Sequence, residues 1–316
     1  MNLIDVNEKF ATDEQCLSYL EQMRWPDGKV RCMVCGCDRI SRITRKVSEK
    51  SKNKRAQIYQ CLEKTCKQQF SATSGTLFND SHLSLHKWFL AMALIIDAKK
   101  GMSAKQLQQH LGIGSYRTAW YMCHRIRKSM DMDAAEFPKM TGVVEMDETY
   151  LGGRTIRPGK PRQPGRSTTK DIVVGVRQRG GDVRMFHTKD VKSATLAKIA
   201  NRVISPDVDM IVTDDFRSYP TALKKFKGKH KKIRHSHGYY VTGKDNEIHT
   251  NTVESAFSLF KRGLAGSYHI MSIKHLHRYL NEFEFRFNER KNVNRFQKTL
   301  GRMMQTDPLE YKALTS

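Results

Sequence analysis

Two pairs of cysteines near the N-terminus constrain the fold of this chain more than any other feature of its sequence. Cys32 and Cys35 stand in "CMVC", and Cys61 and Cys66 stand in "CLEKTC". Such turns are typical of a zinc ribbon, because each supplies two of the four thiolates that a closed, structural zinc site requires. The second pair is more widely spaced than usual, so Cys37 is an alternative ligand. Reduced thiols beside a small core are the alternative to a metal site.

The balance of charge is a second constraint. The 316 residues include 56 Lys and Arg against 32 Asp and Glu, a formal net charge of +24. Nucleic acid is the commonest partner of so basic a chain, although a ribosomal or membrane-surface protein would carry the same sign. The longest apolar run, residues 88–96, is too short to span a bilayer. Residues 1–10 lack a secretory signal, so we expect a cytoplasmic protein with cysteines as thiols or metal ligands.

A helical pattern runs through residues 81–130 and contains a candidate helix-turn-helix. Ser103 is a candidate N-cap of a short helix that ends at Gly112, and a longer helix follows. The longer helix carries four basic residues: Arg117, Arg125, Arg127 and Lys128. Two helices joined by a glycine-containing turn suit DNA recognition, in which Tyr116 and Arg117 would begin the helix that enters the major groove. An ordinary helical hairpin is the alternative interpretation.

After Pro138 the pattern changes to alternating strands and helices, which is typical of an α/β sheet covered by helices. Residues 142–150 and 209–220 are predicted strands that end in acids, with Asp147 in the first and Asp214 in the second. A carboxylate that closes a buried strand must be paired or metal-bound. Reactive groups in such sheets lie at strand ends, so both aspartates are candidate site residues.

The segment "HTNTVESAFSLFKR", residues 249–262, predicts an amphipathic helix. Its apolar residues recur at three- and four-residue steps, and the pattern continues just beyond the segment: Val253, Phe257, Phe260 and Leu264. Glu254 and Lys261 are seven residues apart and share one helix face. A solvated pair of charges is one interpretation. The other is that Glu254 joins Asp147 and Asp214 to hold two magnesium ions for phosphoryl transfer, with Lys261 on a phosphate.

Two cationic segments flank these acids. Residues 152–170 hold six basic residues and no acid, and residues 216–244 also lack Asp and Glu. Acids set among cationic loops suit a phosphate backbone that passes over a metal centre. Incidental charge on solvated loops is the alternative, and it explains one such segment more easily than two.

An ordered set of motifs resembles a known family over nearly the whole chain. The motifs are "RWPDG", "QCLEKTCKQQFSATSGTLF", "VEMDETYLGG", "VTDDFRSYP", "HTNTVESAFSLFKRGLAGSYH" and "YLNEFEFRFNER". In these the chain is similar to the ISXO2-like transposases of bacterial insertion sequences, the IS1595 family. The motifs are collinear from roughly residue 10 to roughly residue 295, and the set is far more specific than any one motif.

The resemblance implies a role for individual residues. Asp147, Asp214 and Glu254 would be the catalytic acids that hold magnesium or manganese. Lys261, one heptad after Glu254, would be the family's basic residue and would hold a DNA phosphate near the same site. Cys32, Cys35, Cys61 and Cys66 would hold zinc. Candidate DNA contacts are Tyr116, Arg117, Arg154, Arg157, Lys160, His249 and Arg262. His249 either contacts the scissile phosphate or caps the helix that follows it.

The implied fold is an α/β RNase H-like catalytic domain preceded by a small zinc ribbon and a helical, helix-turn-helix-like DNA-binding region. We expect an N-terminal helix and zinc ribbon in residues 1–78 and the helical region in 79–138. The catalytic domain would then span 139–295 and a C-terminal tail 296–316.

The implied function is that of a DNA transposase. It would bind terminal inverted repeats, cut the strands and transfer them to target DNA as a homodimer or larger assembly, associated with the bacterial nucleoid. A DNA-binding regulator or a catalytically inactive transposase remnant is the alternative from another class. Another RNase H-like nuclease is a further alternative, and joined DNA products would exclude it.

Overall fold

The computed structural model describes residues 1–44, 57–131, 138–152, 170–233, 241–244, 246–269 and 271–316. The chain divides into two compact units, Met1–Met130 with Asn292–Ser316, and Asp131–Lys291. This grouping differs from the four segments expected from the sequence, because residues 296–316 belong to the first unit rather than forming a separate tail.

Helices and strands are numbered in chain order. The helices are α1 (Leu3–Lys9), α2 (Asp13–Arg24), α3 (Leu85–Asp97), α4 (Ala104–His110), α5 (Tyr116–Ser129), α6 (Ser193–Val203), α7 (Tyr219–Ala222), α8 (Asn251–Gly263), α9 (Leu276–Asn288), α10 (Arg295–Gln305) and α11 (Tyr311–Thr315). The strands are β1 (Ile40–Thr44), β2 (Gln57–Cys61), β3 (Gln69–Phe70), β4 (Val143–Leu151), β5 (Asp171–Gln178), β6 (Val183–Thr188), β7 (Met210–Asp214) and β8 (His230–Ile233). Within the described ranges, none of the helices has the length and apolar character needed to cross a membrane.

A small antiparallel sheet organises the N-terminal part of the first unit. Strands β1, β2 and β3 pair in that order. Tyr59 of β2 pairs with Phe70 of β3, and the ring of Trp25, just after α2, packs edge-on against Tyr59 with 5.3 Å between centroids. Aromatic packing of this kind gives a small sheet the apolar contact area that its few strands lack. The sheet therefore has its own core beside the cysteine pairs.

The C-terminal helix α10 completes the core of the first unit. Phe296 and Met303 of this helix are buried. The ring of Phe296 lies 6.2 Å from that of Phe10 and 5.9 Å from that of Phe89, measured between centroids. An amphipathic helix is stable when its apolar face is covered. This packing explains why residues 296–316 fold with the N-terminal part of the chain.

The second unit is built on a mixed five-stranded sheet in the order β6-β5-β4-β7-β8. The pairs β6–β5 and β5–β4 are antiparallel, whereas β4–β7 and β7–β8 are parallel. The predicted hairpin between β5 and β6 is present, and Gly180 in its turn has a φ of +72°, a conformation that glycine adopts without strain. The mixed order agrees with the RNase H-like fold that the resemblance implies.

Alternate residues of β4 face two different helical layers, as the pleat of a strand requires. Val144 and Met146 belong to the core cluster that includes residues of α6 and α7. Leu151 belongs to the other cluster, with residues of α8 and α9. Glu145 and Asp147 are in step with Leu151, so they lie on the face that α8 covers.

Helix α8 lies unusually close to the sheet at the level of Asp147. Gly175 of β5 is the pairing partner of Asp147. A Cβ added at Gly175 would lie 2.6 Å from the ring of Phe257 and 3.0 Å from Val253, both on α8. The missing side chain of Gly175 is therefore what allows α8, with Glu254 on it, to approach the strand of Asp147.

Candidate metal centre and active site

The four cysteines of the predicted zinc site come together in the first unit. One sulfur from each of Cys32, Cys35, Cys61 and Cys66 lies within 4.8 Å of the other three. The Sγ atoms of Cys32 and Cys66 are 3.6 Å apart, as are those of Cys35 and Cys61. Thiolates at about 2.3 Å from a tetrahedral zinc ion stand roughly 3.8 Å from one another. The four thiols therefore fit a structural zinc ion.

Cys37 lies outside this group of four. Its Sγ accepts a hydrogen bond from the Arg39 N–H at 3.4 Å, and its carbonyl oxygen accepts one from the Cys32 N–H at 2.9 Å. These hydrogen bonds stabilise the turn formed by residues 32–39, which contains Cys32 and Cys35. The wider spacing of the second pair is thus accommodated without Cys37 as a substitute for Cys66.

The register of the second sheet brings the two predicted aspartates side by side. Glu145 of β4 is aligned with Val212 of β7 in the parallel pair. Two residues further along each strand are Asp147, in the middle of β4, and Asp214, the last residue of β7. Their side chains are therefore neighbours on the same face of the sheet. The carboxylate of Asp214 also accepts a hydrogen bond from the Phe216 N–H at 3.0 Å, which orients it at the strand end.

A further acid, Glu148, belongs to the same cluster. One carboxylate oxygen from each of Asp147, Glu148 and Asp214 lies within 4.8 Å of the others. Glu148 points to the layer of α7, where Tyr219 donates a hydrogen bond to its Oε2 at 2.9 Å. Tyr219 is fully buried, so it holds this carboxylate in one position. Glu148 is not among the candidate site residues that the sequence predicts.

The third predicted acid, Glu254, lies on α8 at the side of this cluster. It lines a cavity of about 470 Å³ together with Asp147, Glu148, Lys261 and Arg262. Glu254 itself is exposed, and its Oε1 accepts a hydrogen bond from the Thr250 hydroxyl at 2.8 Å. The helix thus presents an acid and two cations to one cavity, as the spacing of residues 254 and 261 predicts.

The environment of Asp147 changes the pKa of its carboxyl group. Burial, together with the negative charges of Glu148 and Asp214, raises the pKa of Asp147 to about 8. Oxygen atoms that share one divalent cation stand no more than about 4 to 5 Å apart, which the carboxylates here satisfy. A cation bound among them would remove the repulsion that raises this pKa. The cluster therefore fits a divalent metal.

Glu145 is the buried acid of this region that sequence reasoning did not identify. Its side chain is fully buried and forms an ion pair with Arg179 at 2.7 Å. Its Oε2 accepts hydrogen bonds from the N–H groups of Thr252 and Val253, at the start of α8. A signal was present in the sequence: Glu145 is two residues before Asp147, and so shares its strand face.

His249 contacts the same buried acid. Its Nδ1 lies 3.2 Å from Oε1 of Glu145, just before α8 begins. The structure therefore places the imidazole beside Glu145, at the entry to the helix. Its contact with a phosphate stays a prediction.

The helical middle of the chain has the two helices and the turn expected of it, α4 and α5. Tyr116 and Arg117 at the start of α5 are exposed, and the guanidinium of Arg117 lies 5.8 Å above the ring centre of Tyr311. Their position leaves room for a partner, and their role in DNA binding stays a prediction.

The other basic residues of α5 serve the interior of the first unit. Arg125 and Arg127 are buried, and Arg125 donates a hydrogen bond to the carbonyl oxygen of Asn79. Lys128 donates to the carbonyl oxygens of Asp307 and Pro308, at 2.8 and 3.2 Å. Arg125 and Lys128 therefore pair with backbone carbonyl groups within the first unit.

The remaining predicted DNA contacts divide into two groups. Arg262 lies on α8 and lines the same cavity as Lys261. Arg154, Arg157 and Lys160 lie outside the described residues.

Solved structures with some likeness to the chain come from the Mos1 system. In the crystal structure of the Mos1 strand transfer complex, the likeness covers 69% of this chain and 75% of that one, at 12% identity and a TM-score of 0.30. In a pre-cleavage Mos1 transpososome it covers 68% and 78%, at 12% identity and a TM-score of 0.27.

Sequence families give a closer match. Residues 139–288 match the model of the ISXO2-like transposase domain, and residues 11–69 match that of the transposase zinc-ribbon domain. The chain is also 30% identical, over 292 residues, to an uncharacterized protein in transposable element ISH50 of Halobacterium salinarum. That alignment covers 88% of this chain and 91% of the relative. The chain therefore belongs to the ISXO2-like transposases, the IS1595 family, as the ordered motifs of its sequence predicted.

Proposed function

We propose that this transposase cuts and joins DNA at a divalent-metal centre held by Asp147, Asp214 and Glu254. The observation that carries the proposal is the meeting of Asp147 and Asp214 on adjacent parallel strands, beside a cavity that Glu254 also lines. Acids from three distant parts of the chain have no mutual attraction that would bring them together. A site of this kind is stabilised when cations bind between the carboxylates.

The residues around the cavity would have different roles in phosphoryl transfer. When bound, a pair of magnesium or manganese ions supplies activation of the attacking oxygen and stabilisation of the leaving oxygen. Asp147 on β4 and Asp214 on β7 would hold the ions, and Glu254 would complete the ligand set from α8. Lys261 and Arg262 would bind phosphate oxygens of the DNA at the cavity wall. Because water and a DNA hydroxyl are the nucleophiles, the reaction needs no nucleophilic side chain.

The reaction has two steps that each exchange one phosphorus–oxygen bond for another. In the first, water attacks the phosphodiester at an end of the element and releases a 3′ hydroxyl. In the second, that hydroxyl attacks a phosphodiester of the target and displaces its 3′ oxygen. The joining step therefore requires no external source of energy.

The DNA partners would be the terminal inverted repeats and the target. The net charge of +24 favours a polyanion, and the zinc ribbon with the start of α5 offers surfaces for duplex DNA. Joining two ends to one target requires a catalytic site for each end, which we expect a homodimer or larger assembly to provide.

The proposal is tested with labelled duplexes taken from the ends of the DNA segment that carries the gene. Wild type, Glu254→Ala and Asp207→Ala are compared with and without magnesium. Asp207 is an exposed acid of the same unit and serves as the control. We expect nicked and joined DNA from wild type and Asp207→Ala, and bound but intact DNA with Glu254→Ala.

Other outcomes would replace the proposal. Binding without cleavage by all three proteins would indicate a regulator or an inactive remnant. Nicking without joined products would favour a nuclease of related fold. Equal activity of Glu254→Ala and wild type would remove Glu254 from the metal centre.

A further inference from the structure

We propose that Glu145 and Arg179 act as a positioning pair, which fixes the start of α8 on β4 and thereby sets the distance of Glu254 from Asp147. The inference rests on the proposed function, since the place of Glu254 matters for catalysis only if it serves the metal centre. Neither residue of the pair lines the cavity described above. Their effect on the reaction would pass through Glu254.

Each oxygen of Glu145 has a separate task. Oε2 accepts hydrogen bonds from the Thr252 N–H at 2.8 Å, the Thr252 hydroxyl at 2.8 Å and the Val253 N–H at 2.9 Å. Oε1 accepts a hydrogen bond from Nε of Arg179 at 2.7 Å. The carboxylate of Glu145 on β4 thus joins the first turn of α8 to Arg179, in the turn that follows β5.

Arg179 extends the same connection to the residues before α8. Its Nη1 donates to the carbonyl oxygen of Glu247 at 2.7 Å, and its Nη2 donates to that of His249 at 2.9 Å. A planar guanidinium with three such bonds has little freedom to rotate. Arg177, on β5 two residues before Arg179, donates to the carbonyl oxygen of Thr252. The path of residues 247–252 is therefore fixed from the sheet.

The first turn of helix α8 receives its acceptor from Glu145 and not from its N-cap residue. The hydroxyl of Thr250 at the N-cap forms no capping hydrogen bond and donates to the side chain of Glu254 instead. The first N–H groups of a helix need acceptors, and the positive end of its dipole favours an anion. The carboxylate of Glu145, on β4, supplies both the acceptor and the negative charge. Since Glu254 follows Val253 directly, the bonded N–H groups lie immediately before the proposed metal ligand.

Burial makes stability a weak explanation for this arrangement. The side chain of Glu145 is fully buried, and that of Arg179 is 20% exposed. Removing charges from water is costly, and an apolar residue with a local serine cap would hold a helix at lower cost. The carboxylate of Glu145 instead fixes the start of α8 relative to Asp147, because Glu145 lies two residues from Asp147 on the same face of β4.

The experiment compares wild type with Glu145→Gln and with Glu282→Gln as a matched control. Glu282 is equally buried, pairs with Arg286 at 3.1 Å, and belongs to α9. Three quantities are measured: Mn²⁺ affinity by electron paramagnetic resonance, amide hydrogen exchange in residues 251–254, and DNA cleavage. Unfolding curves confirm that each variant is folded and how much stability it has lost.

We expect Glu145→Gln to bind Mn²⁺ about tenfold more weakly and to cleave DNA at least about tenfold more slowly. Excess Mn²⁺ should restore part of the cleavage, and exchange at residues 251–254 should accelerate. Glu282→Gln should lose similar stability and keep wild-type Mn²⁺ affinity. Arg179→Gln should add little to Glu145→Gln in the double variant, because the two residues act together.

Failure of this inference is distinguishable from failure of the proposed function. Wild-type Mn²⁺ affinity and unchanged exchange at residues 251–254 in Glu145→Gln would overturn the positioning role. An equal loss of affinity in Glu282→Gln would overturn it too, since the effect would then be one of general stability. A wild type that binds no Mn²⁺ would refute the metal centre, and with it the inference.

Discussion

At the scale of single residues, burial and then repulsion by neighbouring carboxylates disfavour the charged form of Asp147. Burial and the charges of Glu148 and Asp214 raise the pKa of Asp147 from 3.8 to about 8. Between these pH values the folded protein holds a proton that the unfolded chain has released. The free energy of unfolding of the metal-free protein therefore falls as pH rises from about 4 to about 8. Destabilising groups of this kind are common at active sites.

Asp147→Asn should reverse this loss. At about pH 8 without divalent cations, we expect the variant to be more stable than wild type by about 2 kcal/mol, because a neutral amide replaces the crowded acid. The advantage should shrink towards about pH 5, where Asp147 of the folded wild type is protonated. Urea unfolding with EDTA at several pH values measures both effects.

Magnesium provides the internal control for Asp147→Asn. Ligand that binds only the folded state stabilises it, so millimolar Mg²⁺ should raise wild-type stability and leave the variant nearly unchanged. A variant that is no more stable than wild type at about pH 8 would contradict the crowding that the structure shows.

The residues that the sequence identifies correctly belong to recognisable motifs, whereas those defined only by packing leave no such signal. Asp147 and Asp214 follow apolar runs of predicted strands, which was enough to identify them as candidates, although β4 continues for four residues beyond Asp147. Glu145 lies inside a strand, and its partners are backbone groups more than a hundred residues away in the chain. The burial of Arg125 and Arg127 is likewise not visible in the sequence, where their charge alone would place them on the surface. Long-range contacts of this kind leave no periodic signal in the chain.

At the scale of elements, the packing of α8 against β5 sets the distance of Glu254 from Asp147 and Asp214. Gly175 leaves space for Phe257 and Val253, which flank Glu254 on the helix. The hydrophobic period predicted α8 and its buried face correctly, with Val253, Phe257 and Phe260 in the core. It could not predict how close the helix lies to the sheet, because that distance depends on a glycine in a different strand.

Gly175→Ala should therefore move α8 away from the sheet. The added Cβ would lie 2.6 Å from Phe257, so the ring or the helix must shift. We expect a loss of about 1 to 3 kcal/mol in the free energy of unfolding, as for other overpacked cores. Cleavage should fall about tenfold or more, since a displacement near 1 Å at a catalytic group is costly. Urea unfolding and the cleavage assay measure the two effects.

Gly266→Ala is the matched control for this substitution. Gly266 lies in the π-helical turn after α8, and an added Cβ there would meet nothing within 4 Å. Its stability and cleavage should stay close to those of wild type. If Gly175→Ala lost stability but cleaved at the wild-type rate, the spacing of α8 would have no part in catalysis.

At the scale of the whole molecule, the chain combines two compact units with a large excess of positive charge. The first unit includes residues from both ends of the chain, which no local pattern predicts. Charge, by contrast, is fully visible in the sequence: 56 basic residues against 32 acidic ones. A charge of this size acts mainly on phosphates, and each phosphate contact releases condensed counterions from DNA.

DNA binding should therefore weaken steeply with salt. Between about 50 and 200 mM salt we expect the association constant to fall by at least ~10³-fold, corresponding to about six or more phosphate contacts. Fluorescence anisotropy with a labelled duplex, in EDTA so that no cleavage occurs, measures the slope of log affinity against log salt. A slope near zero would mean that the charge is not directed at DNA.

Substitutions in the cavity measure how much of the salt dependence of DNA binding comes from its two cations. Lys261→Ala with Arg262→Ala should reduce the magnitude of the slope by about two, because each side chain would account for about one phosphate. Glu254→Ala should keep the wild-type slope in EDTA, because without metal this acid makes no attractive contact with DNA. An unchanged slope in the double variant, together with lost cleavage, would place Lys261 and Arg262 on the reacting phosphate only in the metal-bound state. Their cations would then act in catalysis and not in the initial binding of DNA.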